Sequence, residues 1–259
     1  MGMKRYIKIG LIIGITVFTT FLVVLTNRYQ KNKICRDVIV HFDNEQEMMF
    51  LDAENVKNIL ETPLILGEPF EKINLQLLEN KLRKNPFIKE AELFVRSDRA
   101  LQVNVKLQEV AARVFEDNGS SYYIDYEGKK IPLSPNYTAR TILIRGDFNE
   151  NLEYKTVQNE HLKNLLTFLK YISQHFKFSL IISELKISED GSIEIYPELG
   201  NFVIEFGNLE NYQQKLEHLW RFYKEVLPKV GWNYYERIIL KYNNQILGRK
   251  KLYEDVRRK

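Results

Sequence analysis

The chain has 259 residues, 44% hydrophobic and 28% charged, with a formal charge of +4, enough for one large hydrophobic core or two small ones. Twelve Gly, seven Pro and a single cysteine, Cys35, exclude collagen-like and low-complexity classes, an intramolecular disulfide and a cysteine-cluster zinc site. Residues 1–36 hold seven of the 38 Lys and Arg and no acid, leaving 31 basic against 34 acidic groups elsewhere; a mildly acidic body repels phosphates, so no nucleic-acid partner is expected.

From Ile9 to Thr26 eighteen residues carry no formal charge. As a helix they span about 27 Å, near the ~30 Å of a bilayer's hydrocarbon core, and Ile7 and a snorkelling Lys8 extend them. A buried core helix and a cleaved signal peptide are the alternatives. The run exceeds a usual signal h-region, no small-x-small cleavage site follows, and Asn32-Lys33-Ile34 before Cys35 is not a lipobox. The expected order is a tail over 1–6, a single uncleaved N-terminal transmembrane helix over 7–27 and a linker over 28–37. Lys4, Arg5 and Lys8 before the span nearly balance Arg28, Lys31, Lys33 and Arg36 after it, so charge leaves the orientation open.

Residues 38–108 read β-α-α-β-β. Val38–Phe42 alternates as a strand. Asp52 caps a helix carrying Val56, Ile59 and Leu60; Pro63 and Gly67 break the chain. Asn74 caps a second helix with Leu75, Leu78 and Leu82 on one face, ended by Asn85-Pro86. Ile88–Val95 and Leu101–Leu107 follow as strands about the turn Arg96-Ser97-Asp98-Arg99, with Leu101, Val103, Val105 and Leu107 on one buried face.

Residues 109–248 read as a mixed, β-rich domain with two helices. Ala112–Phe115 and Ser121–Ile124 flank the hairpin turn Asp117-Asn118-Gly119, and Tyr126–Lys129 turns before Ile131. Thr141–Ile144 is a strand. Leu162, Leu165, Leu166, Leu169, Ile172 and Phe176 recur at helical spacing within Val157–Phe176. Leu185–Ser188 and Ser192–Tyr196 form a hairpin, and Phe202–Phe206 a further strand. The second helix is Leu209–Leu227, stopped by Pro228 and Gly231. Arg237–Leu247 is the final strand, before a basic tail over 249–259. The fold class is α+β.

Catalytic signals are sparse. His41, His161, His175 and His218 form no metal-binding pair, and no G-x-S-x-G, H-E-x-x-H, P-loop or G-x-G-x-x-G occurs. Asp125 and Glu127 read as turn residues rather than an acid/base pair, and Cys35 has no sequence-local His to make it a nucleophile. Phe168, Trp220, Phe222 and Tyr223 read as core or rim aromatics. No cofactor and no catalytic or metal-binding residue is expected.

The run NPFIKEAELFVRSDRALQVNVKLQEVAARVF, from Asn85, resembles the helix-to-hairpin end of a POTRA domain. With one anchor before it and a mixed β domain after it, the chain resembles the bacterial cell-division family FtsQ/DivIB; YYIDYEGKKIPLSPNYTARTILIRG and ERIILKYNNQILGRK are similar to its Bacteroidota versions. The resemblance implies a POTRA domain over 38–108 and an FtsQ-type domain over 109–248. It also implies a short cytoplasmic tail, a single inner-membrane span and a periplasmic body at the division septum. The implied activity is non-enzymatic: a divisome scaffold binding FtsB- and FtsL-like bitopic proteins and, through them, the septal peptidoglycan synthase complex. A POTRA-type chaperone-like module of envelope assembly or secretion is the alternative. The family's last strand often carries arginine before tyrosine. Here it is Lys241-Tyr242, a point charge in place of a bidentate guanidinium.

The last strand in the chain has no later strand to cover it, and an open edge offers unpaired N–H and C=O groups to a partner strand. The expected docking residues are Trp232, Arg237, Ile238, Ile239, Leu240, Lys241, Tyr242, Asn243, Asn244, Gln245 and Ile246, with Tyr242 and Trp232 as aromatic anchors.

Overall fold

The computed structural model describes residues 12–23, 33–43, 50–116, 118–135, 137–146, 160–242 and 245–251. Near the N-terminus a helix, α1, covers residues 12–23. That length makes about 18 Å of helix, against the ~30 Å of a hydrocarbon core. Among the described residues no helix is long and apolar enough to cross a membrane. The expected transmembrane helix over 7–27 is therefore corrected. Residues 7–11 and 24–27 of that span lie outside the described residues.

The chain divides into two compact units, Met1–Gln108 and Glu109–Lys259. Within the first lie β1 (Asp37–Phe42), α2 (Ala53–Leu60), α3 (Thr62–Ile65), α4 (Leu75–Arg83), β2 (Ile88–Val95) and β3 (Ala100–Leu107). Asp52 accepts from the Asn55 N–H at 2.6 Å while the Asn55 side chain accepts from the Asp52 N–H at 3.1 Å, a reciprocal cap on α2. Asn74 starts α4 by accepting from the Leu77 N–H at 3.0 Å. Pro63, read as a break, sits in the first turn of α3, where its missing N–H costs nothing. In the three-stranded sheet β3 is central, parallel to β1 and antiparallel to β2. Leu101, Val103, Val105 and Leu107 pack into one core with Val56 and Leu60 of α2 and Leu78 and Leu82 of α4.

The second unit is built on a nine-stranded sheet. Its strands are β4 (Val110–Phe115), β5 (Ser121–Asp125), β6 (Lys130–Ile131), β7 (Ile142–Gly146), β8 (Ile182–Ile187), β9 (Ile193–Pro197), β10 (Val203–Gly207), β11 (Tyr235–Ile239) and β12 (Leu247–Lys250). Their order across the sheet is β12-β11-β10-β9-β8-β7-β4-β5-β6. Pairing is parallel between β4 and β7, β7 and β8, and β10 and β11. The helices are α5 (Glu160–Gln174), α6 (Phe176–Ser179), α7 (Tyr212–Arg221) and α8 (Leu227–Val230). Leu165, Phe168, Leu169 and Ile172 of α5 and Leu216 and Leu219 of α7 share one core with Ile195, Ile204, Phe206 and Ile238 of the sheet.

Two expectations about this unit are corrected. The helix read over 209–227 begins at Tyr212 and widens into a π-helical turn over Phe222–Val226 before α8. Pro228 lies in the first turn of α8 and has no N–H to donate to the Lys224 carbonyl, which favours a change of helical register there. The final strand read over 237–247 ends at Ile239; the chain then leaves the ladder and returns as β12, antiparallel to β11.

Candidate partner-binding edge

A sheet of nine strands has two edges, here β6 and β12. β6 has two residues, too few to template a partner strand. β12 is short as well, but all four of its residues are exposed. It pairs Lys250 with Tyr235, Arg249 with Arg237, Gly248 with Ile238 and Leu247 with Ile239. The expected edge strand thus has a neighbour on each side, β10 and β12, and among the described residues the outer edge lies one strand further out.

Beside β12 runs a groove of about 320 Å³, lined by His218 and Arg221 of α7, by Phe222 and Glu225 of the π-helical turn and by Tyr235 and Gly248 of the sheet. Gly248 makes the groove possible: a Cβ there would stand 2.3 Å from the Tyr235 ring. The floor is aromatic, with Phe222 and Tyr235 centroids 5.5 Å apart. The rim carries both signs of charge. A strand added to β12 would send alternate side chains toward this groove and away from it.

The expected docking residues occupy different environments. Ile238 and Leu240 are 0% and 1% exposed, so they hold the core. Arg237 serves the sheet itself: its guanidinium donates to Glu194 at 2.9 Å and to Glu205 at 3.1 Å, and the Glu194 carboxylate, then Glu205, holds it above its ordinary range. Ile239 is half-buried between Glu205 and Leu247. Lys241 reaches Glu205 at 3.3 Å and lies over the Tyr242 ring at 5.5 Å, with Tyr242 48% exposed. Gln245 and Ile246 line the groove, while Trp232 is exposed with its ring against Tyr223 at 5.9 Å. Asn243 and Asn244 lie outside the described residues. Of the expected docking residues, Trp232, Lys241, Tyr242 and Gln245 are exposed and Ile246 is half-buried. Sequence reasoning missed Gly248–Lys250 as strand, the separate edge strand they form with Leu247, and His218, Arg221 and Glu225 as groove residues. Gly-Arg-Lys after Leu247 has weak β-propensity, and its basic residues read as the start of the tail.

Replacing Arg237 by methionine leaves Glu194 and Glu205 directly opposed on paired strands. The expected loss is about 1–2 kcal/mol of unfolding free energy, shrinking at high salt as the like charges are screened. Urea melts of parent and variant at low and high ionic strength measure it; an equal loss at both would show that repulsion is not its source.

Asp125 holds a turn, its Oδ1 accepting from the Glu127 and Lys129 N–H groups at 2.8 Å each. Cys35 is buried, and burial pushes its thiol up, away from a reactive thiolate. Among the described residues no group of three or more His, Cys, Asp or Glu is placed to hold a metal ion.

Each unit matches a family model. Residues 33–106 match the POTRA-like domain, and residues 109–248 match the family described as FtsQ/DivIB, C-terminal related. No curated protein matches the chain.

Proposed function

The chain belongs to the FtsQ/DivIB family, and on that premise we propose that it is a non-enzymatic scaffold of cell division which captures partner chains along β12. The partners are FtsB- and FtsL-like proteins, through which the scaffold is linked to septal peptidoglycan synthesis, and its place of action is the division septum. The observation that carries this reading is the exposed β12 edge beside an aromatic-floored groove. Backbone bonds along so short an edge contribute only about 1 kcal/mol each, so the groove and the exposed Trp232 and Tyr242 supply the rest. The POTRA-like match over residues 33–106 is followed by the FtsQ/DivIB match over 109–248, and this second match favours the division reading over a chaperone-like module.

The test is capture of the FtsB–FtsL pair by the full chain, by a chain ending at Ile246, and by Gly248→Ala. The shortened chain is expected to keep its thermal midpoint within a few degrees and to lose capture. Gly248→Ala is expected to bind at least about tenfold more weakly, because the displaced Tyr235 ring fills the groove. Undiminished capture by both would place the docking surface elsewhere.

A further inference from the structure

Ala112 and Val114 of β4 join the helix-packed core of the second unit, so Arg113 and Phe115, which alternate with them, lie on the opposite face of the sheet. The other arginines on the strands of this sheet are each answered by glutamate. Arg145 of β7 meets Glu184 at 3.0 Å, Arg237 of β11 meets Glu194 and Glu205 at 2.9 and 3.1 Å, and Arg249 of β12 meets Glu236 at 3.0 Å. Arg113 is half-buried, yet among the described residues it has no ion pair.

Its surroundings hold the cation without neutralising it. Nη2 donates to Ser121 Oγ at 3.0 Å. The guanidinium carbon lies 4.8 Å from the Phe115 ring centroid and 5.8 Å from that of Tyr123. Tyr123 is itself fixed, since its hydroxyl accepts from the Ala139 N–H at 3.1 Å. The Arg113 Nε–H is buried and has no acceptor. One bond to a neutral hydroxyl leaves most of the donors of the fork unanswered, and an unpaired charge or donor taken out of water is destabilising. A second cation faces the same aromatic ring: Arg145 is in register with Phe115 across the β4–β7 pairing, its guanidinium carbon 5.4 Å from the ring centroid.

We propose that Arg113 is the centre of a carboxylate-binding site, with Arg145 as its second cation, which takes an aspartate or glutamate side chain of a partner chain. A planar fork matches a carboxylate through two parallel hydrogen bonds, and glutamate is the anion that the other strand arginines take. Phe115, Tyr123 and Ser121 hold the guanidinium in place before a ligand arrives, so little side-chain freedom remains to be lost on binding. β4 lies inside the sheet, away from β12, and the inference does not depend on the β12 edge.

Acetate, the simplest side-chain carboxylate, is the probe, exchanged for chloride at constant ionic strength on the full chain. The Arg113 Nε–Hε resonance, identified by its loss in Arg113→Lys, is expected to move along a saturating curve. Acetate is also expected to raise the thermal midpoint of the parent. In Arg113→Lys, which keeps the charge and loses the fork, the acetate needed for half of that effect rises at least about tenfold; in Arg145→Gln it rises about threefold. Should Arg113→Lys fail to fold, Arg145→Gln, altered at an exposed side chain, carries the comparison. A resonance that drifts without saturating overturns the site, as does a midpoint that responds to acetate equally in parent and variants. Inorganic phosphate, run at mildly acidic pH where both ions carry a single charge, is expected to bind more weakly; tighter binding than acetate overturns the assignment to a carboxylate.

Discussion

Lys215→Ala is expected to lower the unfolding free energy of the second unit by about 2–4 kcal/mol, with Lys215→Met losing less. Lys215 is 6% exposed. Its Nζ donates to the Phe206 carbonyl at 3.2 Å, to the Asn208 carbonyl at 2.8 Å and to Asn208 Oδ1 at 3.2 Å. All three ammonium protons are thus used where β10 turns toward α7, and the cation lies 5.1 Å from the Phe206 ring centroid. Alanine removes the donors and leaves a cavity; methionine keeps most of the stem. Burial pulls the ammonium below its ordinary range, against a smaller opposing effect of Glu210. A lysine with a lowered folded pKa binds fewer protons folded than unfolded between the two values. Stability from this group therefore rises as pH climbs through that window and is flat below it. Urea melts at pH 7 and pH 9.5 give both effects: the parent gains relative to Lys215→Met at the higher pH. An alanine variant within 1 kcal/mol of the parent would mean that the three acceptors find other partners at little cost.

How much of this was legible in the sequence follows from how local each signal is. Asp52 and Asn74 announce their helices because a cap acts within four residues of itself. The alternation Leu101, Val103, Val105, Leu107 announces a strand because one buried face is enough to impose it. Strand order is different. Nothing in Ile142–Gly146 or Ala112–Phe115 says that they pair in parallel, since that pairing depends on the path of the chain between them. β12 was invisible for a related reason: Leu-Gly-Arg-Lys becomes a strand only because β11 offers it a ladder. The same displacement explains the docking residues. Ile238 and Leu240 sit at core positions once β12, and not β11, is the edge, and Arg237 is drawn inward by Glu194 and Glu205 from two other strands. The contacts of Glu79 and Arg83 with the β2 backbone are not legible locally, because their partner groups at Ala91 and Leu93 are set by how α4 packs on β2. The eighteen-residue apolar run is a composition signal, while crossing a bilayer is a matter of helix length, and among the described residues no helix is long and apolar enough to cross a membrane.

Above pH 10 the second unit is expected to lose stability steeply, with Tyr223 as the largest source. Tyr223 is 5% exposed and lies in the π-helical turn beside the groove. Its hydroxyl donates to the Leu199 carbonyl at 2.8 Å, and its ring meets Trp232 at 5.9 Å and Phe202 at 6.0 Å. Burial pushes this phenol far above its ordinary range. Tyr122 is pushed up to about 12, by burial first and by the Glu116 charge second. In the unfolded chain tyrosines ionise near pH ~10, while in the folded unit both stay protonated. The folded state therefore binds more protons above that pH, and the stability these groups contribute, whole below pH ~10, is lost as pH rises toward their folded values. For Tyr223 the slope reaches about 1.4 kcal/mol per pH unit; Tyr122, half-exposed, contributes less because solvent screens it. Tyr223→Phe gives up the bond to Leu199, about 1 kcal/mol at neutral pH, but it also gives up the slope. The parent is thus more stable at pH 7, and the two proteins become equal at roughly pH 11. Urea midpoints from pH 7 to pH 11.5 measure the crossing. A constant offset across that range would mean that the Tyr223 phenol ionises as freely in the folded unit as in the unfolded chain, which its burial against Trp232 and Phe202 forbids.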